Sequence, residues 1–221
     1  MIKAIIFGAT GMVGEGVLHV ALRDPRVASV LVIGRRPCEV VHPKLRELIH
    51  TDFFDYAALE DHLSGWNACF FCLGVTSVGK REEEYTRLTY HLTMAAARVL
   101  ARHNPDMTFC YVSGTGTDAT EKGRTMWARV KGRTENHLRA LPFRAAVAFR
   151  PGFIKPIPGQ HHAYRVAKVL GLAYPLWRVL FPRFVCTLED LGLAMIRTAD
   201  AGSPKPVLEN PDIATLAQTQ V

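Results

Sequence analysis

The 221-residue chain predicts an α/β fold, a doubly wound parallel sheet, from three observations. Short apolar runs alternate with helical patterns. The runs are continuous rather than alternating, as strands are when helices cover both sheet faces. The first run leads directly into glycines at three-residue spacing and then into a helix.

Taken in order, the first strand is Ile2–Phe7, followed by Gly8-Ala9-Thr10-Gly11-Met12-Val13-Gly14 and a helix over Gly14–Arg23. Gly8 permits the tight turn, Gly11 lets phosphates approach the backbone, and Gly14 lets the helix pack close on its strand. A helix N-terminus adds free N–H groups and a positive dipole end. This is a seat for a dinucleotide pyrophosphate, with Gly8, Thr10, Gly11, Met12, Val13 and Gly14 as its candidate contacts. Further strands are expected at Ser29–Ile33, Leu45–His50, Ala68–Cys72, Thr108–Val112 and Ala145–Phe149. Helices fall at Tyr56–Leu63, Arg81–His103 and Arg124–Leu141. Right-handed crossovers then put the ligand crevice at the carboxyl ends of the strands. The helix Arg81–His103 carries one apolar stripe, Tyr85, Leu88, Leu92, Ala95 and Val99, expected to pack on the sheet. Ala96 and Ala97 would be left for a helix–helix contact in a homodimer.

After Pro151 the pattern changes. Pro156, Pro158 and Gly159 give an irregular stretch, and His161–Arg183 is apolar and basic. Residues 153–187 are expected to form a small C-terminal substrate-covering subregion within a single domain spanning residues 1–221. A basic, aromatic-bearing segment at Ala163–Arg183 also suits peripheral membrane contact, but a lid over an apolar substrate is preferred. Helix Leu188–Ala199 and a short strand and helix within Pro206–Leu216 complete the pattern.

The net charge is +7, with Lys and Arg scattered among acids rather than gathered with aromatics on one face, so nucleic-acid binding is not expected. The five cysteines (Cys38, Cys69, Cys72, Cys110, Cys186) show no disulfide spacing, and no secretory leader pattern precedes Ile2. A cytoplasmic location is the expectation. Cys69 and Cys72 have redox-pair spacing, but three residues apart on a strand they face opposite sides, and both read as core. No metal-ligand spacing is present; His161 and His162 are adjacent, without nearby Cys or paired carboxylates.

Cys72-Leu73-Gly74, Val112-Ser113-Gly114, Lys131 within Trp127–Glu135, and Phe149-Arg150-Pro151-Gly152 follow the glycine loop in order. In this order the motifs resemble the atypical and extended short-chain dehydrogenases/reductases, the NAD(P)H-binding, epimerase/dehydratase-like group with a Rossmann-type sheet. The resemblance covers roughly residues 1 to 155 with ordered motifs. It implies an oxidoreductase or epimerase. It carries adenine recognition onto Asp52, adenosine contact onto Leu73 and Gly74, and the place beside the nicotinamide onto Pro151 and Gly152. Asp52 is nearly as well explained as a turn or capping residue. Arg35 and Arg36 follow the second strand, where an acid would bind a ribose 2′-hydroxyl and arginine suits a 2′-phosphate. NADP is therefore favoured over NAD.

In such reductases a Tyr and a Lys stand four apart on one helix face, and a Ser positions the substrate oxygen. Ser113 and Lys131 match the Ser and Lys. The Tyr position holds Trp127, whose indole only donates a hydrogen bond. Either another residue supplies the proton (Tyr111, Tyr164, His161 or His162) or the site does not run carbonyl reduction in the usual way. The two readings are an NADP-dependent enzyme on an unknown small or apolar substrate, and a cofactor-sensing protein that does little chemistry. Thr115-Gly116-Thr117-Asp118 is either a substrate contact or a polar turn, and Arg150, on a strand, requires an anionic partner or several hydrogen bonds.

Overall fold

The run Ile2–Phe7 forms β1, buried at every position but Lys3, and lies at the centre of a wholly parallel sheet. The computed structural model describes residues 1–157 and 184–219. The further strands are β2 (Val27–Gly34), β3 (Leu45–Ile49), β4 (Ala68–Phe71), β5 (Thr108–Val112), β6 (Ala145–Arg150), β7 (Phe153–Lys155), β8 (Val185–Thr187) and β9 (Val207–Glu209). The sheet order is β3-β2-β1-β4-β5-β6-β9, and every neighbouring pair is parallel. The order reverses between β1 and β4, where an open parallel sheet parts its loops to leave a crevice. β7 and β8 pair separately, also in parallel.

Alternate residues of each strand feed opposite cores, as the pleat requires. On one face Ile6, Phe70 and Phe149 meet Leu18 of α1 (Met12–Arg23) and Leu191 and Met195 of α5 (Leu188–Ala201), with α6 (Asn210–Gln218) beyond. On the other, Phe7, Phe71 and Phe109 meet Tyr85 of α2 (Glu82–Thr86), Leu100 of α3 (Leu92–His103) and Leu138 of α4 (Met126–Arg139). Cys69 and Cys72 do fall on opposite cores. Cys72 is only half-buried, however, because it lies one residue past β4, at the sheet edge. All five cysteines are free.

Two helical expectations change. Residues Ala57–His62 form a 3-10 helix rather than an α-helix. The helix expected over Arg81–His103 is interrupted by a π-helical turn at Arg87–His91. Bonding from i to i+5 takes an extra residue per turn and rotates the helix beyond it. Thr89 and Tyr90 turn into the core, while Leu88, Leu92 and Ala95 are left half-buried. Of the expected stripe, Tyr85 and Val99 are buried in the sheet-facing core, whereas Leu88, Leu92 and Ala95 lie at its margin. Ala96 and Ala97, expected to be free for a dimer contact, are fully buried against the sheet. Of residues 153–187, expected to cover a substrate, only the two ends are described, with β7 and β8. Residues 158–183, including His161, His162, Tyr164 and the whole membrane candidate Ala163–Arg183, lie outside the described residues. Among the described residues, no helix is long and apolar enough to cross a membrane.

Arg150 finds two anions. Its Nε and one terminal nitrogen donate to the two oxygens of Glu135 at 3.0 and 2.6 Å, and the other terminal nitrogen donates to Glu209 at 3.0 Å. Glu135 is 1% exposed, so the pair is bidentate and desolvated. It ties β6 to α4 and β9 at the carboxyl edge of the sheet. Arg150→Ala strands a buried carboxylate and is expected to cost about 3 kcal/mol or more in chemical denaturation. Arg102→Ala breaks an exposed pair with Glu60 and should cost under about 1 kcal/mol. Equal losses in the two variants would contradict this account of Arg150.

Candidate functional site

The loop after β1 is shaped by backbone contact. Gly8 has φ +83°, and a Cβ there would stand 2.9 Å from the carbonyl carbon of Cys72. A Cβ at Gly14 would overlap the carbonyl oxygen of Gly8. Gly11 is exposed and is the N-cap of α1, with no side chain capping the helix, so the positive dipole end faces the crevice. Thus Gly8 and Gly14 hold the turn together, and Gly11 is the glycine left on the surface.

Two cavities lie along the carboxyl edge. The first, about 490 Å³, is bounded by Met12, Val13, Cys72, Ser113, Thr115, Trp127, Lys131, Pro151, Gly152 and Ile154. The second, about 420 Å³, is bounded by Arg35, Asp52, Phe53, Phe54, Arg87, Leu88 and Leu92. Leu73 and Gly74 line both, so the two meet at the end of β4. A Cβ at Gly74 would meet nothing within 4 Å.

Of the residues singled out from the sequence, Met12, Val13, Leu73, Gly74, Ser113, Lys131, Pro151 and Gly152 meet at the first cavity, and Arg35 and Asp52 at the second. Gly8, Thr10, Gly11, Gly14 and Arg36 line neither cavity; Arg36 is exposed. Gly152 has a local reason to be glycine: a Cβ would overlap the carbonyl oxygen of Phe184, and its N–H donates to Asn210 Oδ1 at 3.0 Å. Asp52 lines the second cavity, and its Oδ1 accepts the Phe54 N–H at 2.9 Å, as a turn residue does.

Lys131 Nζ donates to the Ser113 carbonyl at 3.0 Å and more weakly to that of Val112 at 3.4 Å. It lies 5.6 Å from the ring centroid of Tyr111. Burial pushes its ammonium down to about 8, and Glu135 one turn along opposes this only in part. Ser113 and Thr117 hydroxyls are 2.9 Å apart, and Thr117 also donates to the Gly114 carbonyl at 2.8 Å. Thr117 has one hydrogen, so the Ser113 hydroxyl donates to Thr117 and keeps its lone pairs. Tyr111 is 1% exposed among Phe71 and its neighbours, and burial drives its phenol up. It is a core residue and does not line the cavity. Trp127 does, packed above Gly116, where a Cβ would be 3.5 Å from its ring.

The segment after Ser113 is chiefly a polar turn. Asp118 accepts from Thr120 N, Thr120 Oγ1 and Gly123 N, which holds its carboxyl below the usual range. Thr115 donates to the Arg150 carbonyl at 3.1 Å while lining the first cavity. Sequence reasoning missed Arg87, Leu88 and Leu92 as cavity residues, because the π turn that aims them has no signature in a 3.6-residue pattern. It read Cys72 as core because a strand end is not marked in an apolar run. Among the described residues, no group of three or more metal-binding side chains exists.

No family model matches the chain. Solved structures share its fold. ADP-L-glycero-D-manno-heptose-6-epimerase from Helicobacter pylori covers 98% of this chain and 81% of its own at a TM-score of 0.68 and 14% identity. The Bordetella bronchiseptica enzyme WbmF in complex with NAD+ covers 97% and 76% at 0.64 and 14%. At these identities they establish the Rossmann-type parallel sheet expected from the motifs. Curated relatives are nearer in sequence. The mitochondrial protein fmp52 of Emericella nidulans is 29% identical over 178 residues, 77% of this chain and 73% of the relative. That of Aspergillus fumigatus is 30% identical over 175 residues, 76% and 72%. These names overturn the expected cytoplasmic location and point to the mitochondrion. Free cysteines and the lack of a secretory pattern, on which that expectation rested, do not separate the cytosol from another compartment that keeps thiols reduced. With glycine loop, crevice and these relatives together, the chain belongs to the Fmp52 family.

Proposed function

We propose that the two joined cavities take a nicotinamide dinucleotide, NADP in preference to NAD, and that the protein is an oxidoreductase or epimerase on a small or apolar substrate. The observation that carries this is the meeting of the cavities at Leu73 and Gly74, across the turn where Gly8, Gly11 and Gly14 bring α1 to β1. The adenosine would lie against Asp52 and Arg35, and the nicotinamide between Lys131, Pro151 and Gly152. When bound, the coenzyme supplies hydride exchange. The chain's own part is to hold and orient. Lys131 braces the end of β5 through two carbonyls, and Ser113 offers an acceptor to a substrate hydroxyl. Thr115, Cys72 and Ile154 complete the wall, and a mitochondrial place of action belongs to this proposal.

Trp127 supports a second reading, a coenzyme-sensing protein that does little chemistry. It stands four residues before Lys131 and lines the same cavity, where an exchangeable hydroxyl would otherwise be expected. Turnover of a broad panel of carbonyls and alcohols by the native protein would exclude the sensor. Reductase activity confined to Trp127→Tyr would favour it.

Binding is tested first. Isothermal titration should show NADP binding to the native protein more tightly than NAD, and failure of both at millimolar concentration would end the dinucleotide reading.

Lys131 gives a pH test that needs no substrate. Its folded value, about 8, lies below its ordinary 10.5, so between these values the unfolded chain holds more protons than the folded one. Stability then rises with pH across this window. The native protein should gain stability relative to Lys131→Met as pH climbs from about 8 toward 10, in urea denaturation at several pH values. Parallel stability curves for the two proteins would refute the buried ammonium.

A further inference from the structure

The second cavity contains a cation that the motifs do not account for. Arg87 opens the π-helical turn, and its guanidinium carbon lies 4.9 Å from the ring centroid of Phe54. Both residues line the cavity with Arg35 and Asp52. Among the described residues neither the Arg87 nor the Arg35 guanidinium has a hydrogen-bond or ion-pair partner. Two of the acids of α2 are engaged elsewhere, Glu82 with Arg129 at 2.7 Å and Glu84 with Lys80 at 2.7 Å. Asp52 is the one carboxylate in the lining, and an oxygen of it already accepts the Phe54 N–H.

Two guanidinium groups therefore face one carboxylate in a space otherwise walled by Phe53, Leu88 and Leu92. The excess is positive. An apolar slot with excess cation suits a flat ring that carries a phosphate, and a neutral ribose diol would leave the charge unmatched. The π turn is what builds this wall. An unbroken helix would direct Leu88 and Leu92 toward the sheet, whereas the extra residue sends Thr89 and Tyr90 inward and leaves Leu88 and Leu92 at the cavity. Single π turns within helices are frequent where a helix has been adapted to a ligand.

We propose that Arg87, held against Phe54, is a second phosphate-binding guanidinium that acts with Arg35 to select the 2′-phosphorylated dinucleotide; this rests on the dinucleotide reading above. Arg87 belongs to the contact itself, and Phe54 positions it by stacking under the guanidinium plane.

The test is calorimetric titration of the full chain with NADP and with NAD, for the native protein, Arg87→Ala, Arg87→Lys and Phe54→Leu. Arg87 is exposed, so its replacement should leave the thermal midpoint unchanged. Loss of one charge-assisted phosphate contact should weaken NADP about tenfold and NAD less than about twofold. Arg87→Lys, which keeps charge but not the planar fork, should fall between. Phe54→Leu should weaken NADP selectively, by a smaller factor. Equal weakening of NADP and NAD in Arg87→Ala, or NADP affinity unchanged, overturns the role of Arg87 while the dinucleotide reading stands. If the native protein binds neither nucleotide, both fall together.

Discussion

The site depends on a contact between backbones. At the turn from β1 into α1 the chain passes so near itself that Gly14 has no room for a Cβ beside the Gly8 carbonyl, and Gly8 has little beside Cys72. This closeness brings α1 to the point where the strand order reverses, between β1 and β4. It also sets the end of β4, where Leu73 and Gly74 join the two cavities. A side chain at Gly14 would lift the helix from its strand, and one at Gly8 would push away the end of β4.

Two half-buried cations near one another illustrate different solutions to the cost of leaving water. Arg150 is matched by carboxylates of Glu135 and Glu209 in fork geometry and serves to fasten β6, α4 and β9. Lys131, one helical turn before Glu135, has carbonyl oxygens of Val112 and Ser113 instead. Glu135 directs its oxygens to Arg150, so Lys131 is left with dipoles, and burial lowers its ammonium to about 8. One cation is closed off within the structure, whereas the other lines the first cavity with its proton held less tightly.

Trp127 sits where hydroxyl groups are close by but already engaged. The strand end beside it presents Ser113, Thr115 and Thr117, but their hydroxyl hydrogens are directed to Thr117, to the Arg150 carbonyl and to the Gly114 carbonyl. Tyr111 is sealed in the aromatic core below. The described wall of the first cavity is thus rich in acceptors and apolar atoms, with Lys131 as the charged side chain in it.

The fold was legible in the sequence because its signals are local. Continuous apolar runs reported strands covered on both faces, and their bounds fall within two residues of those observed. The glycine spacing reported the turn; Arg35, named from its place after a strand, and Ser113, Lys131 and Asp52, named through the resemblance, line the two cavities. Tertiary structure alone decided the rest. The anions that face Arg150 come from α4 and β9, 15 and 59 residues away. The phase of the helix after β4 depends on a π turn, whose wider hydrogen-bond ring is chosen by packing on the sheet and not by residue type. That rotation brings Tyr90, Met94 and Ala97 into the core and leaves Leu88 and Leu92 at the crevice. A sequence fixes which groups a chain carries and the period of its apolar positions, but which groups share a cavity is settled only when distant segments compete for the same space.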